Sequence, residues 1–351
     1  MAKWIRYGVP SSVNGQDAVR AKDWLTALSP LLLMMVVNYR WPAVLAVLTA
    51  TAGYAAATVV WQWVKVSPCY AAPAFLCGVV ITCCLPSAAP TWLAALAGLI
   101  GGVVAGLPAL VNRLCRNRFW SCPVYLPALA GFLAVRFLFA SHFSAFAMPV
   151  MWASADAVAS ATPLAALGQP EAATSLTHLF WGFDAGSMGG GPAPALLLGY
   201  GYLLLRRRLH PIPVAAMVGA VALASWMLWD MPLYGVLAGG TLLAAVLMGD
   251  EGLVHVGWKG RLAAGVTAGV VTVLCRLWWG IDGCAIGVLA AGLLTPVLHI
   301  VYHLLCHVVP PMVSAVCGFL RRTVPPLARR VWGGVCRFVA FLRQKFAKTE
   351  N

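Results

Sequence analysis

The sequence predicts an all-α protein that crosses a membrane about ten times. Of its 351 residues, 61% are hydrophobic and only 10% are charged, and the mean hydropathy is +0.84. Values this apolar are far from those of a soluble globular domain. The apolar residues are also grouped into separate runs, several of which reach the roughly 20 residues that a helix needs to cross the hydrocarbon core.

Ten of these runs are assigned as membrane-crossing helices. In chain order they are 24–38, 42–61, 70–85, 91–111, 124–140, 192–205, 213–229, 233–248, 263–279 and 285–308. They divide the chain into an N-terminal segment (1–23), a membrane domain (24–309) and a basic C-terminal tail (310–351). The sequence shows no convincing internal repeat, so it gives no support of that kind to an inverted-repeat transporter.

Positive charge is distributed unevenly between alternate loops. Arg40 is almost the only basic residue in one set of loops, and residues 144–190 contain neither Lys nor Arg. The other set contains Lys65; Arg113, Arg116 and Arg118; Arg206, Arg207 and Arg208; and Lys259 with Arg261. By the positive-inside rule, the basic loops and both termini are predicted to be cytoplasmic in a prokaryotic cell membrane. The loop 144–190 is then extracytoplasmic.

The net charge of +14 is explained by these loops and by attraction to anionic lipid. No nucleic-acid partner is expected, since the chain has no base-stacking or basic-groove module. No cleavable signal peptide is expected either, because Lys3, Arg6, Arg20 and Lys22 precede the first helix without a small-residue cleavage site.

The 11 cysteines lie mostly within predicted spans and show no Cys-x-x-Cys spacing. Buried thiols are therefore expected instead of zinc or iron-sulfur ligands.

The C-terminal tail combines basic and apolar residues at helical spacing after Pro310 and Pro311. This pattern is typical of a helix lying in the cytoplasmic interface. Two interpretations are open: anchoring to lipid, which is favoured, and docking of a partner subunit.

Three histidines, His299, His303 and His307, recur every four residues on one face of the last span. They suggest a rival hypothesis of a haem-bearing quinone oxidoreductase. One face of one helix cannot supply both axial ligands of a haem, and no second span has a matching pair. Histidines near the cytoplasmic interface are the favoured interpretation.

The run from Asp156 to Leu164, within the loop 144–190, is the best candidate for chemistry. The hydroxyl of Thr162 can be esterified by the phosphate of a flavin nucleotide, which fixes a redox cofactor outside the membrane. Asp156, six residues earlier, offers a carboxylate for a modifying enzyme or its metal. Pro163 predicts an extended backbone at Thr162. The local alternative is an ordinary helix cap, because Thr before an apolar run commonly caps a helix.

A resemblance extends from about residue 25 to residue 296. The shared features are the Asp156 to Leu164 run, Pro127-Ala128 before Gly131, Gly186-Ser187-Met188-Gly189, Asp250, Gly260-Arg261, Asp282-Gly283 and Pro296. In these residues the chain resembles the D subunit of the Rnf complex, a membrane-bound ferredoxin:NAD oxidoreductase, and the B subunit of the sodium-pumping NADH:quinone oxidoreductase. The family pattern for flavin attachment is Asp-x-x-Ser/Thr-Gly-Ala-Thr followed by Pro-Leu.

The resemblance implies covalent FMN on Thr162 and electron transfer coupled to Na⁺ or H⁺ movement. It places Asp156, Ser160 and Ala161 beside the attachment point and leaves open a second flavin. It also implies several partners: a flavinylated G/C-like subunit, A/E-like membrane subunits, and iron-sulfur and NADH-binding subunits. The chain itself has neither a glycine-rich dinucleotide fingerprint nor a cysteine cluster.

Two arginines within spans are further candidates for cofactor binding. Arg136 needs a partner, a phosphate or a path to the interface, because an unpaired charge inside a membrane costs at least about 2.5 kcal/mol. Arg276 matches a family arginine and is a candidate donor to the FMN phosphate. For both residues the alternative is a side chain that reaches the outer interface.

Several polar residues of the family pattern are absent. A family asparagine before Pro-Ala is Leu126, a glutamate is Gly190, an asparagine in the last span is Gly292, and an aspartate is His299. The family loop Thr-Asp-Pro-Val-Thr-Ser-Pro corresponds here to residues 249–255, with Leu253 at its second threonine. The chain is therefore a divergent member by resemblance. Two other functions stay open: a small-molecule transporter and a scaffold without flavin.

Overall fold

The structure is a computed structural model that describes residues 13–64, 70–114, 123, 125–143, 146, 148–149, 162–169, 171, 173–250, 253 and 258–303. The candidates Asp156, Ser160, Ala161 and His307 and the tail 310–351 lie outside these residues. The described residues up to Leu293 form one compact unit, and a second unit begins at Leu294.

Twelve α-helices and two short 3-10 helices make up the regular structure of the described residues. Besides these helices, the described residues form two isolated β-bridges, one between Pro86 and Ser187 and one between Leu209 and Asp250. The α-helices are α1 (Val13–Tyr39), α2 (Trp41–Trp63), α3 (Ala71–Cys84), α4 (Thr91–Leu114), α5 (Leu126–Leu138), α6 (Leu176–Trp181), α7 (Ala193–Leu205), α8 (Pro211–Trp229), α9 (Pro232–Leu237), α10 (Thr241–Met248), α11 (Trp258–Trp279) and α12 (Cys284–His303). The 3-10 helices are Ala140–Phe143 and Pro163–Ala166.

Within the described residues, nine of the ten predicted spans each coincide with one helix, which confirms the all-α membrane class. Four helices of the described part of the chain are long and apolar enough to cross a membrane: Trp41–Trp63, Thr91–Leu110, Pro211–Trp229 and Trp258–Trp279. Shorter apolar helices are Ala71–Cys84, Leu126–Leu138, Ala193–Leu205 and Cys284–Leu293. The first helix begins at Val13, well before the predicted start at residue 24.

The eighth predicted span is not one helix. Residues 233–248 were predicted to form one continuous helix, but the helix is interrupted at residues 238–240, between α9 and α10. Gly239 has a φ of 70°, a left-handed conformation that ends a helix and that glycine adopts readily. Hydropathy does not reveal the break, because Ala238, Gly239 and Gly240 are as compatible with an apolar span as their neighbours.

Large apolar side chains cover the outside of the bundle. Leu205 is 86% exposed, Met227 77% and Leu198 67%, which suits a surface in contact with lipid. The cysteines Cys77, Cys83, Cys275 and Cys284 are buried, as predicted. Among the described residues, no group of three or more His, Cys, Asp or Glu side chains is arranged to hold a metal ion.

Two glycines bring α2 and α4 into close contact. A Cβ on Gly98 would overlap the carbonyl of Ala50, and one on Gly102 would lie 2.6 Å from the carbonyl of Tyr54. Small residues spaced by four allow such backbone contact between membrane helices.

The same arrangement recurs between α8 and α11. Gly265 lies against the carbonyl of Pro213, and Gly269 lies 2.9 Å from the carbonyl of Met217, measured from a Cβ built on each glycine. These glycines occupy the eighth and twelfth positions of α11, as Gly98 and Gly102 do in α4. The packing of α11 on α8 through two glycines thus resembles the packing of α4 on α2. The sequence did not reveal this likeness, because little more than the glycine spacing is shared.

One end of the bundle contains an ion-pair cluster, which we call the basic end. Asp23 of α1 accepts a hydrogen bond from Arg206 at 3.0 Å and one from Arg208 at 2.8 Å. Nearby, the N–H of His210 donates to the carbonyl of Gly249 at 2.7 Å, and Arg261 Nη1 lies 3.3 Å from His210 Nδ1. The candidate residue Thr162 belongs to the opposite end, as its packing shows.

Candidate functional site

Thr162 lies immediately before the 3-10 helix Pro163–Ala166. Its backbone is extended, with φ −71° and ψ 148°, as Pro163 predicts, and its side chain is partly exposed. The carbonyl of Thr162 accepts a hydrogen bond from the N–H of Ala165 at 2.9 Å. Its hydroxyl makes no capping hydrogen bond to the 3-10 helix. Thr162 therefore lacks the side-chain hydrogen bond that would make it an ordinary helix cap.

The segment that follows Thr162 is packed against α9. Leu164, Ala166 and Leu167 contact a small buried cluster that includes Tyr234 and Ala238. Leu179 of α6 completes the cluster. Apolar contacts of this kind hold the 3-10 helix at a fixed place and leave Thr162 at its edge.

Gly168 locates this segment relative to the bundle. It has a φ of 85°, and a Cβ built on it would lie 3.0 Å from Cδ1 of Trp229, the last residue of α8. The attachment segment thus lies where α8 ends and α9 begins. Phe137 and Trp279, near the ends of α5 and α11, also meet, with ring centroids 6.4 Å apart.

The second part of the loop is tied together by short-range bonds. The hydroxyl of Ser175 accepts a hydrogen bond from the N–H of His178 at 3.4 Å and caps α6. Thr174 donates to Asp184 at 3.2 Å. Burial raises the pKa of the Asp184 carboxyl, and the bond from Thr174 and the neighbouring His178 offset only part of that rise.

The break between α9 and α10 is filled by Arg276 of α11. Its Nη1 donates to the carbonyl of Gly235 at 2.7 Å. Its Nη2 donates to the carbonyl of Ala238 at 3.1 Å, to the hydroxyl of Thr241 at 2.7 Å and to Asp282 Oδ1 at 3.2 Å. The Arg276 side chain is only 1% exposed. It points inward, so it does not reach the interface in the way that one interpretation expected.

Asp282 completes the arrangement from the other side of the break. Its Oδ2 accepts a hydrogen bond from the N–H of Gly240 at 2.6 Å, just before α10 begins. The guanidinium of Arg276 thus lies at the carboxyl end of α9 and the carboxylate lies at the amino end of α10. A positive charge is favoured at the carboxyl end of a helix and a negative charge at its amino end, so both charges are placed favourably. We call Arg276, Asp282, Thr241 and the 238–240 segment the break cluster.

Arg136 lies in the last turn of α5 and is half-buried. Its Nη1 donates to the carbonyl of Phe143 at 3.2 Å, and its guanidinium lies 4.9 Å from the centre of the Phe143 ring. These contacts join α5 to the 3-10 helix Ala140–Phe143. The contacts described for Arg136 and Arg276 do not include Thr162, so a role of either arginine at the FMN phosphate stays a prediction.

Three buried polar atoms around α9 have no hydrogen-bond partner within the described part of the chain. They are Ser225 Oγ, Tyr234 Oη and Arg276 Nε. A fourth such atom, Arg261 Nε, lies at the basic end. Buried polar atoms are almost always paired, so a group of unpaired ones suggests a missing ligand or water. Tyr234 was not predicted as a site residue. A tyrosine between Pro232 and Gly235 within an apolar span was the available signal.

Three departures from the family pattern meet at one point. A Cβ built on Gly292 would lie 2.9 Å from Leu253 Cδ1 and 3.2 Å from both Cδ atoms of Leu126. Leu126 and Leu253 are each 4% exposed. Where the family pattern has two asparagines and a threonine, this chain has an apolar contact. These residues offer no polar group to a second flavin.

The remaining candidates are only partly described. His299 and His303 lie within α12, and their side chains are outside the described set. Gly190, at the family glutamate position, lies near Gly239, whose carbonyl is 3.1 Å from a Cβ built on Gly190. The shortened side chain thus leaves room for the turn between α9 and α10.

The chain is similar in sequence to known membrane proteins. A family model described as the NQR2, RnfD, RnfE family matches residues 16–303. A curated relative from Clostridium ljungdahlii, the D subunit of the proton-translocating ferredoxin:NAD(+) oxidoreductase complex, is 27% identical over 246 residues. The match covers 64% of this chain and 71% of the relative.

Proposed function

The chain belongs to the NQR2, RnfD, RnfE family, and on that premise we propose that it is the membrane electron-transfer subunit of an Rnf-type ferredoxin:NAD oxidoreductase complex. In this proposal it carries covalent FMN on Thr162. Electron flow through the complex is coupled to movement of Na⁺ or H⁺. The name of the Clostridium relative supports the type of complex.

The observation that carries the proposal is the state of Thr162. Its backbone is extended, its side chain is partly exposed, and its hydroxyl is not used to cap the helix that follows. It lies in a loop without Lys or Arg, where the positive-inside rule predicts an extracytoplasmic position. Because Leu164 and Leu167 pack against α9, a group attached to Thr162 would be held near the bundle.

The chemistry divides between the protein and its cofactor. The ester would join Thr162 Oγ to the phosphorus of the flavin nucleotide, with loss of the hydroxyl proton and of a leaving group from an activated donor. When bound, FMN supplies one-electron redox chemistry that no side chain of this loop provides. The protein supplies position, through the packing on α9, and a fixed electrostatic surrounding, through the break cluster. Iron-sulfur and NADH-binding parts are assigned to partner subunits.

Loss of the flavin on changing one hydroxyl tests the attachment. We expect wild-type protein, purified from cells that contain the attaching enzyme, to give a flavin-fluorescent band on a denaturing gel. Thr162→Ala should give no such band, because the esterified oxygen is gone. Thr177→Ala is the matched control, since Thr177 is an exposed threonine of the same loop. A dark wild-type band, or a bright Thr162→Ala band, would refute the attachment.

A transporter is the second candidate function. The broken α9–α10 helix is a feature that secondary transporters also have. For this function we expect substrate uptake by the isolated subunit in liposomes, unchanged by Thr162→Ala. A scaffold without flavin would show neither uptake nor a fluorescent band.

A further inference from the structure

We propose that the hydroxyl of Tyr234 donates a hydrogen bond to the phosphate or ribityl end of the flavin nucleotide on Thr162. The inference rests on the proposed function, because it assigns a residue to the group that Thr162 would carry. Tyr234 would be a positioning residue that fixes the nucleotide relative to α9.

The first observation is the place of Tyr234. It is 4% exposed and belongs to the cluster that holds Leu164, Ala166 and Leu167. These are among the residues that directly follow Thr162 and Pro163. The ring of Tyr234 is therefore part of the surface on which the attachment segment rests.

The second observation is the unpaired hydroxyl. Tyr234 Oη is buried and has no hydrogen-bond partner in the described part of the chain. A buried tyrosine hydroxyl usually finds a partner, and one left without a partner is destabilising. A phenylalanine would fill the same space without that penalty. The unpaired hydroxyl is therefore a candidate donor to a group that is added to the chain after folding.

The third observation is that Tyr234 is not alone. Ser225 Oγ, beside Gly235, and Arg276 Nε, beside the carbonyls of Gly235 and Ala238, are also unpaired. Three of the four unpaired buried side-chain atoms found among the described residues therefore surround this one short helix. Such a concentration favours a polar ligand or ordered water at α9 over isolated packing defects.

The fourth observation is that α9 is held in place. Arg276 binds the carbonyls of Gly235 and Ala238, and Tyr234 packs beneath the 3-10 helix. The tyrosine therefore does not gain a partner by a simple shift of its helix. A hydroxyl donor fixed in this way suits an acceptor that is itself held in one place, such as a nucleotide tethered to Thr162.

The chemistry of the ligand follows from the loop. A phosphodiester keeps one negative charge, and residues 144–190 contain no Lys or Arg to pair with it. A neutral phenol can donate to a phosphate oxygen or to a ribityl hydroxyl. Hydrogen bonds to charged acceptors are stronger than those between neutral groups. Tyr234 would therefore stabilise the phosphate in part, in a loop that has no basic side chain to do so.

The test is a double-mutant cycle on purified full-length protein. Tyr234→Phe is introduced into wild-type protein and into Thr162→Ala, and thermal unfolding in detergent is followed. Without flavin, Tyr234→Phe removes an unpaired hydroxyl, and the unfolding midpoint should rise by about 2 °C. With flavin, it removes a hydrogen bond, and the midpoint should fall. Tyr125→Phe is the control, because that buried hydroxyl already donates to the carbonyl of Leu247 at 2.6 Å. It should lower both midpoints equally.

A second readout does not depend on stability. In flavinylated protein, Tyr234→Phe should lower the fluorescence anisotropy of the attached flavin, because its tether is less fixed, while Tyr125→Phe should leave it unchanged. In flavinylated protein, equal midpoint shifts in the two backgrounds or an unchanged anisotropy would each overturn the inference. The fluorescent band on a denaturing gel of the same samples decides the proposed function separately. A bright band with equal shifts contradicts only the role of Tyr234.

Discussion

At the scale of single residues, Asp23 makes the best-defined ion pair at the basic end. Its side chain is only 6% exposed, whereas those of Arg206 and Arg208 are 55% and 32% exposed. Burial alone would raise the pKa of the Asp23 carboxyl. The hydrogen bonds and charges of the two arginines outweigh burial and lower the pKa below its usual value.

This asymmetry predicts unequal effects of removing the partners. Asp23→Asn should reduce the free energy of unfolding by about 1 kcal/mol, because the arginines can turn to water. Changing both Arg206 and Arg208 to Gln should reduce it further, because the Asp23 carboxylate then keeps its place without a cation beside it. Unfolding in mixed micelles measures both. Equal losses would show that the buried carboxylate is not the costly partner.

The pH dependence of the same pair follows from the lowered pKa. A carboxyl whose pKa is lowered by folding contributes stability that is complete above its unfolded pKa of about 3.9. That contribution is lost as the pH falls through the lower pKa of the folded protein. We expect the stability difference between wild type and Asp23→Asn to begin to decrease below about pH 4 and to disappear once the pH is below the lowered pKa of the folded protein. Asp230→Asn, at an exposed position ending α8, is the control, and a difference that persists in acid would contradict this explanation.

Single residues also show how far the sequence can lead. Thr162 was found because a linear motif and a following proline are visible in the sequence. Tyr234 was not found, because what marks it is an unpaired hydroxyl beside a segment about 70 residues away in the chain. Whether a buried atom has a hydrogen-bond partner depends on the fold and cannot be seen in the sequence. Arg276 was selected, but its inward contacts with Gly235 and Ala238 could not be predicted without the break in the helix.

At the scale of helices, the break between α9 and α10 is the feature that depends most on a few side chains. Hydropathy predicted the apolar segment there correctly and missed its interruption. Backbone groups left unpaired inside a membrane must be satisfied by other parts of the protein. Arg276, Thr241 and Asp282 satisfy them here, with Thr241 donating to the carbonyl of Ala238.

Removal of Arg276 should therefore be severe. Arg276→Met leaves the Asp282 carboxylate without its cation and two carbonyls without a donor. We expect a loss of about 3–5 kcal/mol in the free energy of unfolding. Arg276→Lys keeps the charge but cannot reach four acceptors with a fixed planar group, so its loss should be intermediate. Arg136→Lys, at a half-buried position with one described hydrogen bond, is the comparison. A tolerated Arg276→Met would mean that α9 and α10 do not need the break cluster.

At the scale of the whole molecule, the charged residues and the Thr162 segment lie at opposite ends of the bundle. The arginines 206 and 208 gather around Asp23 at the basic end, while the segment after Thr162 packs where α8 gives way to α9. The distribution of charge in the sequence predicted this separation. The similar packing of α4 on α2 and of α11 on α8, through Gly98 and Gly265, was not predicted, because hydropathy does not show which helices pair.

Labelling of introduced cysteines would test the predicted sidedness. Thr177→Cys in the loop should react with a membrane-impermeant maleimide in intact cells. Arg207→Cys, also at an exposed position, should react only after the membrane is made permeable. The native cysteines of the described helices are mostly buried, and unmodified protein provides the background. The reverse pattern would place Thr162 in the cytoplasm and remove the sidedness on which the electron-transfer proposal depends.

The contact of Leu126 and Leu253 over Gly292 restricts how these three positions can be changed. A Cβ at position 292 would lie 2.9 Å from Leu253 Cδ1 and 3.2 Å from both Cδ atoms of Leu126, so an asparagine there would require both leucine side chains to move. Gly292→Asn alone should then lower the unfolding midpoint, whereas the same change together with Leu126→Asn and Leu253→Thr should lower it less. The effects of the three substitutions would therefore not add, and the unfolding midpoints of the single and triple variants measure that coupling.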